Sequence, residues 1–243
     1  MTQAWKNPPS DLELSRGFVD IWRTKLDLPK QEIAAYLSLL SPDEVKRASC
    51  FKVKRKYREY VITRGLLRRV LGDTLRADPK GFLFEYAEHE KPFLKEDWGG
   101  GAVSFNVSHS HNQAVIAVTL DRTIGIDIEK IRQNVDFNKL ANRFFSVKEF
   151  KSLKRFQEQH LPRAFFACWT RKEAFVKALG DGISFGLSEF SVSVDPDEEN
   201  VTLSTHWDPG EARKWTLVNI KTDTDYIAAC AFEGGKFEIR YWE

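Results

Sequence analysis

No apolar run in this 243-residue chain is long enough to span a bilayer. The opening residues, Met1 to Pro9, lack the apolar centre of a secretory signal. Cysteine is scarce: Cys50, Cys168 and Cys230 are odd in number and far apart, and no C-x-x-C pair exists. That excludes a disulfide framework and a zinc site of the usual spacing. The expectation is a cytoplasmic protein with reduced thiols. A net charge of +2 is too small to mark a nucleic-acid binder. There is no Walker A motif, and Gly99-Gly-Gly101 does not complete a dinucleotide fingerprint. Gly182-Ile-Ser184-Phe-Gly186 has the spacing of a nucleophile elbow, but an elbow needs a strand before it and a helix after it, and here that order is reversed. Low-complexity segments and long linkers are missing too.

What is present is a globular composition, 42% apolar and 13% aromatic with seven tryptophans. The length suits one large domain or two small ones. Phe18 to Arg23 alternates as a half-buried strand does. Ser41-Pro-Asp-Glu44 is a capping box, and the helix or helix pair it opens runs toward Gly72. Short strands are expected at 82–85, 103–107, 114–119 and 124–129. Ser146-Val-Lys-Glu149 is a second capping box. A long helix from Ala164 to Leu179 stops at Gly180. The tail is β-rich, with strands at 190–194, 215–220, 226–232 and 237–241. The order predicts an α+β protein of two similar halves, residues 1–110 and 111–243, with a seam near Ser110–Asn112.

Two segments can carry chemistry. In Gly125-Ile-Asp127-Ile-Glu129, strand periodicity sends Ile126 and Ile128 into a core and makes Asp127 and Glu129 project together. Two adjacent carboxylates repel and favour a cation, and magnesium prefers such hard oxygen ligands. The alternative is a solvent-facing strand edge. In the helix, Trp169, Glu173 and Lys177 are spaced i, i+4, i+8 along one stripe, with Lys172 beside Glu173. An ordinary Glu–Lys pair would account for the charges. However, Phe166, Phe175 and Val176 make the helix apolar on other sides too, so its charged groups should face a cleft or a partner.

Phe105-Asn-Val-Ser108-His109-Ser110 ends a strand with hydroxyl and imidazole donors suited to phosphate, or with polar groups satisfied within the fold. Between Lys46 and Arg69 ten basic residues stand against one acid, Glu59. Such a run is a solvated helix face or a patch for an anionic ligand or acidic protein.

Taken in order, Phe105–Ser110, Gly125–Glu129, Phe145-Ser-Val-Lys-Glu149 and Trp169-x-x-Lys-Glu-Ala-x-x-Lys-Ala178 resemble the Sfp-like 4′-phosphopantetheinyl transferases over nearly the whole chain. The resemblance implies two pseudo-twofold halves with the active site at their junction. It implies transfer of phosphopantetheine from coenzyme A to a serine of an acyl or peptidyl carrier protein, Mg²⁺-dependent, with release of adenosine 3′,5′-bisphosphate. By the same match Asp127, Glu129 and Glu173 would be the magnesium ligands, and Lys172 and Lys177 would meet the diphosphate. Ser108, His109, Arg58 and, less securely, Arg47 would contact coenzyme A. Lys91 of Glu90-Lys-Pro92 stands where the family shows Gly-Lys-Pro, so the charge is kept and the glycine is not.

Glu173 is the preferred base for the carrier serine and Glu149 a rival, although a capping box explains Glu149 without chemistry. An acidic carrier would suit the basic run. A monomer binding neither nucleic acid nor membrane is expected. The rival functions are a magnesium-dependent hydrolase of a diphosphate nucleotide, and a non-catalytic module that would not need Glu173.

Overall fold

The computed structural model describes residues 5–86, 92–95, 102–180, 186–235 and 237–243. Lys91, Gly99–Gly101 and Ser184 lie outside them. The chain divides into two compact units, 1–86 with 92–121 and 237–243, and 87–91 with 122–236.

The first unit holds β1 (Phe18–Lys25), α1 (Lys30–Leu37), α2 (Pro42–Ser49), α3 (Lys54–Leu75), β2 (Phe84–Tyr86), β3 (Pro92–Leu94), β4 (Val103–Ser110) and β5 (Gln113–Leu120). It also takes the last strand, β11 (Glu238–Trp242). Its sheet runs β11-β1-β5-β4, parallel between β1 and β11 and antiparallel elsewhere. Ile62, Leu66 and Val70, with Val61, Leu67 and Leu71, form an apolar stripe at helical spacing on α3. They are buried with Trp22, Ile116 and Val118. Gly65 lets α1 approach: a Cβ there would stand 2.6 Å from that of Tyr36.

The expected seam at Ser110–Asn112 is the turn of the β4–β5 hairpin, with Ser110 paired to Gln113 inside this sheet. Contacts place the division after Asp121 instead.

The second unit holds β6 (Ile124–Lys130), α4 (Phe137–Phe144), α5 (Val147–Leu153), α6 (Leu161–Leu179), β7 (Phe190–Val192), β8 (Leu203–Thr205), β9 (Trp215–Ile220) and β10 (Tyr226–Glu233). Strands β6-β10-β9 form an antiparallel sheet, and β7 pairs with β8. Helix α6 ends at Gly180, whose φ of 83° is left-handed, where glycine is at home. Ala174, Phe175 and Ala178 of α6 share a core with Ala229 and Ala231 of β10. Both units are thus mixed α+β. Among the described residues no helix is long and apolar enough to cross a membrane.

Candidate active site

The site in the second unit begins with a glycine. A Cβ on Gly125 would lie 2.1 Å from the Ala174 carbonyl oxygen and 2.4 Å from the Ala178 nitrogen, so only hydrogen allows α6 to cross β6 this closely. Across the ladder, Ala231 faces Gly125 and Ala229 faces Asp127, which keeps the neighbouring surface low. Alternate residues share a strand face, so Asp127 and Glu129 follow Gly125 onto the side covered by α6.

Helix α6 meets that face with Lys177. Its ammonium donates to Asp127 Oδ1 at 2.6 Å and to the Ile126 carbonyl at 3.2 Å. Asp127 is 5% exposed. Glu173, one turn back along α6, is partly buried, and its carboxyl is pushed up to about 6. Burial is the main cause and the charge of Asp127 the next. Glu129 adds to the rise and Lys177 opposes it. The three carboxylates therefore act in one electrostatic field. Ile126 and Ile128 are buried as expected. The acidic face is only partly open to water, because α6 lies over it and buries Asp127 while Glu129 and Glu173 stay partly exposed.

Among the described residues no three acidic, histidine or thiol groups close on one point as an ion-holding set. Magnesium does not require this, since it is commonly held by one or two carboxylates plus substrate phosphates and water. The chemistry of the donors fits such an ion: oxygens only, with Asp127 buried and Glu129 and Glu173 partly exposed, together carrying surplus negative charge.

Lys172 requires a correction. It is fully buried and pairs at 2.6 Å with Glu149, which is buried as well. The same ammonium donates to the Phe190 carbonyl at 2.7 Å and stands 4.1 Å from that residue's ring centroid. A side chain with no accessible surface does not meet a diphosphate. The two carboxylate oxygens of Glu149 are both engaged. One takes the Ser146 N–H at 2.7 Å, completing the capping box of α5, and the other takes Lys172 and the Val192 N–H at 2.8 Å. Glu149 is thus a joint between α5, α6 and β7, which rules against it as the rival base.

Arg171 is likewise internal and bonds the Ser193 and Asp195 carbonyls and Asn219. Trp169, the head of the proposed stripe, stacks on Phe165 and meets Phe144 edge-on. It is core.

The basic run of the first unit divides in two. Arg68 is 1% exposed and bonds Glu44, Ser41 and the Pro79 and Phe82 carbonyls. Arg64 also pairs with Glu44. Their partner, Glu44, precedes the basic run in the chain. Lys46, Arg47, Lys52, Lys54, Arg55 and Lys56 are exposed. Arg47 caps the Tyr60 ring at 5.7 Å. Arg58 is half-buried, reaches the Leu26 carbonyl at 3.4 Å, and has its Nε buried without a hydrogen-bond partner. Ser108 is buried and His109 exposed near the end of β4, on opposite faces of the sheet.

Comparison with known proteins converges on one family. A family model described as the 4′-phosphopantetheinyl transferase superfamily matches residues 123–231, and one described as 4′-phosphopantetheinyl transferase, N-terminal, matches residues 27–121. The chain is 34% identical over 242 residues to the 4′-phosphopantetheinyl transferase HetI of Nostoc sp., covering all of this chain and 99% of that one. The chain belongs to the 4′-phosphopantetheinyl transferase family. A putative 4′-phosphopantetheinyl transferase of Synechocystis sp. is 32% identical, over 81% of this chain and 77% of its own. The L-aminoadipate-semialdehyde dehydrogenase-phosphopantetheinyl transferase of Xenopus laevis is 30% identical, over 79% and 68%. The expected transferase activity stands on this footing, and the first family model spans the whole β6–α6 site.

Proposed function

We propose that the enzyme transfers 4′-phosphopantetheine from coenzyme A to a serine hydroxyl of an acyl or peptidyl carrier protein, with Mg²⁺, releasing adenosine 3′,5′-bisphosphate. The observation that carries the reading is the clasp of Lys177 on Asp127, which fixes an acidic strand face beneath a helix bearing Glu173. In the proposed step the serine oxygen attacks the phosphorus bearing the pantetheine arm. The diphosphate P–O bond breaks, and the electron pair leaves with the bisphosphate.

Asp127, Glu129 and Glu173 would hold the ion, which when bound supplies positive charge to the diphosphate oxygens. Lys177 is within reach to share its ammonium between Asp127 and a substrate phosphate. Glu173 is the group we assign to take the serine proton, because it is the carboxylate that α6 sets beside Asp127 and Lys177. Arg58, with an orphaned buried donor, Arg47, Ser108 and His109 are assigned to coenzyme A, as is Lys91 by sequence alone. Exposed Lys46, Arg47, Lys52, Lys54, Arg55 and Lys56 favour an acidic partner. A cytoplasmic monomer is the state we assign.

The test is mass spectrometry of carrier proteins incubated with coenzyme A, Mg²⁺ and the enzyme. A gain of one phosphopantetheine per carrier is expected. Release of bisphosphate with unmodified carrier would mean hydrolysis instead. Glu173→Gln should lower the rate by about 10²-fold or more, the usual worth of a positioned base. Mg²⁺ should raise the melting temperature of the parent and not that of Asp127→Ala, because a ligand that binds only the native state stabilises it. An equal response in both would remove Asp127 from the metal site.

A further inference from the structure

Helix α3 starts as a stable helix should not. Its N-cap is Val53, which offers no capping hydrogen bond, and its first turn is Lys54-Arg55-Lys56 with no acid. Valine is among the poorest N-caps, and cations oppose the helix dipole at this end. Elsewhere the chain caps its helices well: α5 has a complete capping box and α4 is capped by Asp136. Packing does not account for the departure. Every residue from Ser49 to Lys56 is exposed, with Phe51 at 36% and Val53 at 59%. Phe51 rests on the Tyr60 ring, centroids 5.4 Å apart, which holds it in place while the rest stays open. Glu59 takes Arg55 at 3.3 Å and Lys56 at 3.0 Å, which offsets only part of the charge. Proteins break such local rules mainly where function requires it.

The composition says which partner the segment fits. Residues 45–58 hold seven cations and no acid, and Phe51 and Val53 flank Lys52 in the turn that joins α2 to α3. Single exposed apolar side chains need no explanation, but apolar groups set among cations form a pattern. Four of the seven cations are lysines, and protein interfaces are poor in lysine. An anionic bilayer suits the pairing better: the charges draw the protein to the surface, and the apolar groups enter the headgroup layer.

We propose that the α2–α3 turn docks on an anionic lipid surface, with Phe51 and Val53 entering the interface and Lys46, Lys52 and Lys54 facing the headgroups. A peripheral contact of this kind needs no membrane-spanning segment, so it adds a membrane partner that the lack of an apolar run did not exclude. Lipid binding involves neither coenzyme A nor carrier, so the proposal stands or falls separately from the reading of Asp127 and Glu173.

The test is co-sedimentation of the full-length enzyme with vesicles of phosphatidylcholine alone, or of equal parts phosphatidylcholine and phosphatidylglycerol. The parent should bind the mixed vesicles and not the neutral ones, and salt should weaken the binding. Phe51→Ser combined with Val53→Ser keeps the net charge and should weaken binding about tenfold or more through lost apolar burial. Val53→Ser alone supplies a better N-cap, so it should raise the melting temperature while weakening binding, which separates lipid contact from loss of fold. A parent that does not bind the mixed vesicles overturns the proposal. So does a double variant that binds them like the parent, which would mean adsorption by charge alone. A raised KM for the carrier protein in that variant, with vesicle binding unchanged, would assign the turn to the carrier instead.

Discussion

At the scale of single residues, the cost of assembling the acidic site falls on Glu173. Its carboxyl is raised from 4.5 to about 6 in the metal-free fold, so the folded state holds the proton more tightly than the unfolded chain. Native stability from this group is intact below about pH 4.5 and falls as pH rises through 6, where the buried charge must form. Glu173→Gln removes that penalty. In chelator-treated protein it should unfold at higher denaturant than the parent above pH 6, by on the order of 1–2 kcal/mol. The two should coincide below pH 4.5. Asp127→Asn should lower the Glu173 midpoint, since it deletes a like charge. A midpoint that stays put would mean burial alone sets the value. Lys172 makes the opposite case, a charge whose partner is fixed. Lys172→Met alone strands Glu149 in the core and should cost about 3–5 kcal/mol. Adding Glu149→Gln should recover part of that loss, and the KM for coenzyme A should not change in the double variant. A raised KM there would return Lys172 to the substrate.

At the scale of elements, the β6–α6 crossing depends on one missing side chain. Gly125→Ala forces a methyl group into the backbone of α6, where no flexible side chain can give way. Overpacking of this kind costs about 1–3 kcal/mol or more. Here it should also part Lys177 from Asp127 and abolish transfer, with the loss of activity exceeding the loss of stability.

Much of this crossing was legible in the sequence. Period-two alternation marked β6, helix spacing and the terminal glycine marked α6, and two capping boxes marked the starts of α2 and α5. The direction of Lys172 was not legible, because α6 is apolar on several sides and periodicity then gives no inward face. Gly125 could have been read as a close approach, since a glycine inside a strand marks either that or a bulge. The Glu44–Arg68 pair was hidden because its acid precedes the basic run in the chain. Helices α1 and α4, each only eight residues long, were not expected; α1 lacks a side-chain cap, whereas Asp136, which accepts from the Lys139 N–H, is a start signal that could have marked α4.

At the scale of the whole molecule, exposed basic residues on α2 and α3 give the first unit a positive flank. If the carrier is acidic, its KM should rise with ionic strength, as screened long-range attraction requires, and a flat response would count against an electrostatic docking step.

Chain order alone suggested two consecutive halves, but the fold is threaded differently. The last strand returns to the first unit, where β11 lies parallel to β1 and pairs Glu238 with Phe18 through Trp242 with Trp22. The return also neutralises a buried charge. Asp20 is 1% exposed and accepts from Arg240 Nε and Nη2 and from Trp242 Nε1, each at 2.7 Å. Deleting residues 237–243 would remove all three donors together with the strand. A buried carboxylate stripped of its partner costs about 3–5 kcal/mol, a large share of the stability of a typical domain. The truncated chain should therefore unfold or precipitate although every residue of the β6–α6 site remains. Asp20→Asn in the truncated chain should recover soluble protein in part, because it deletes the charge but not the lost strand. If truncation left the melting temperature unchanged, β11 would be an ornament of the first unit and not its closing element.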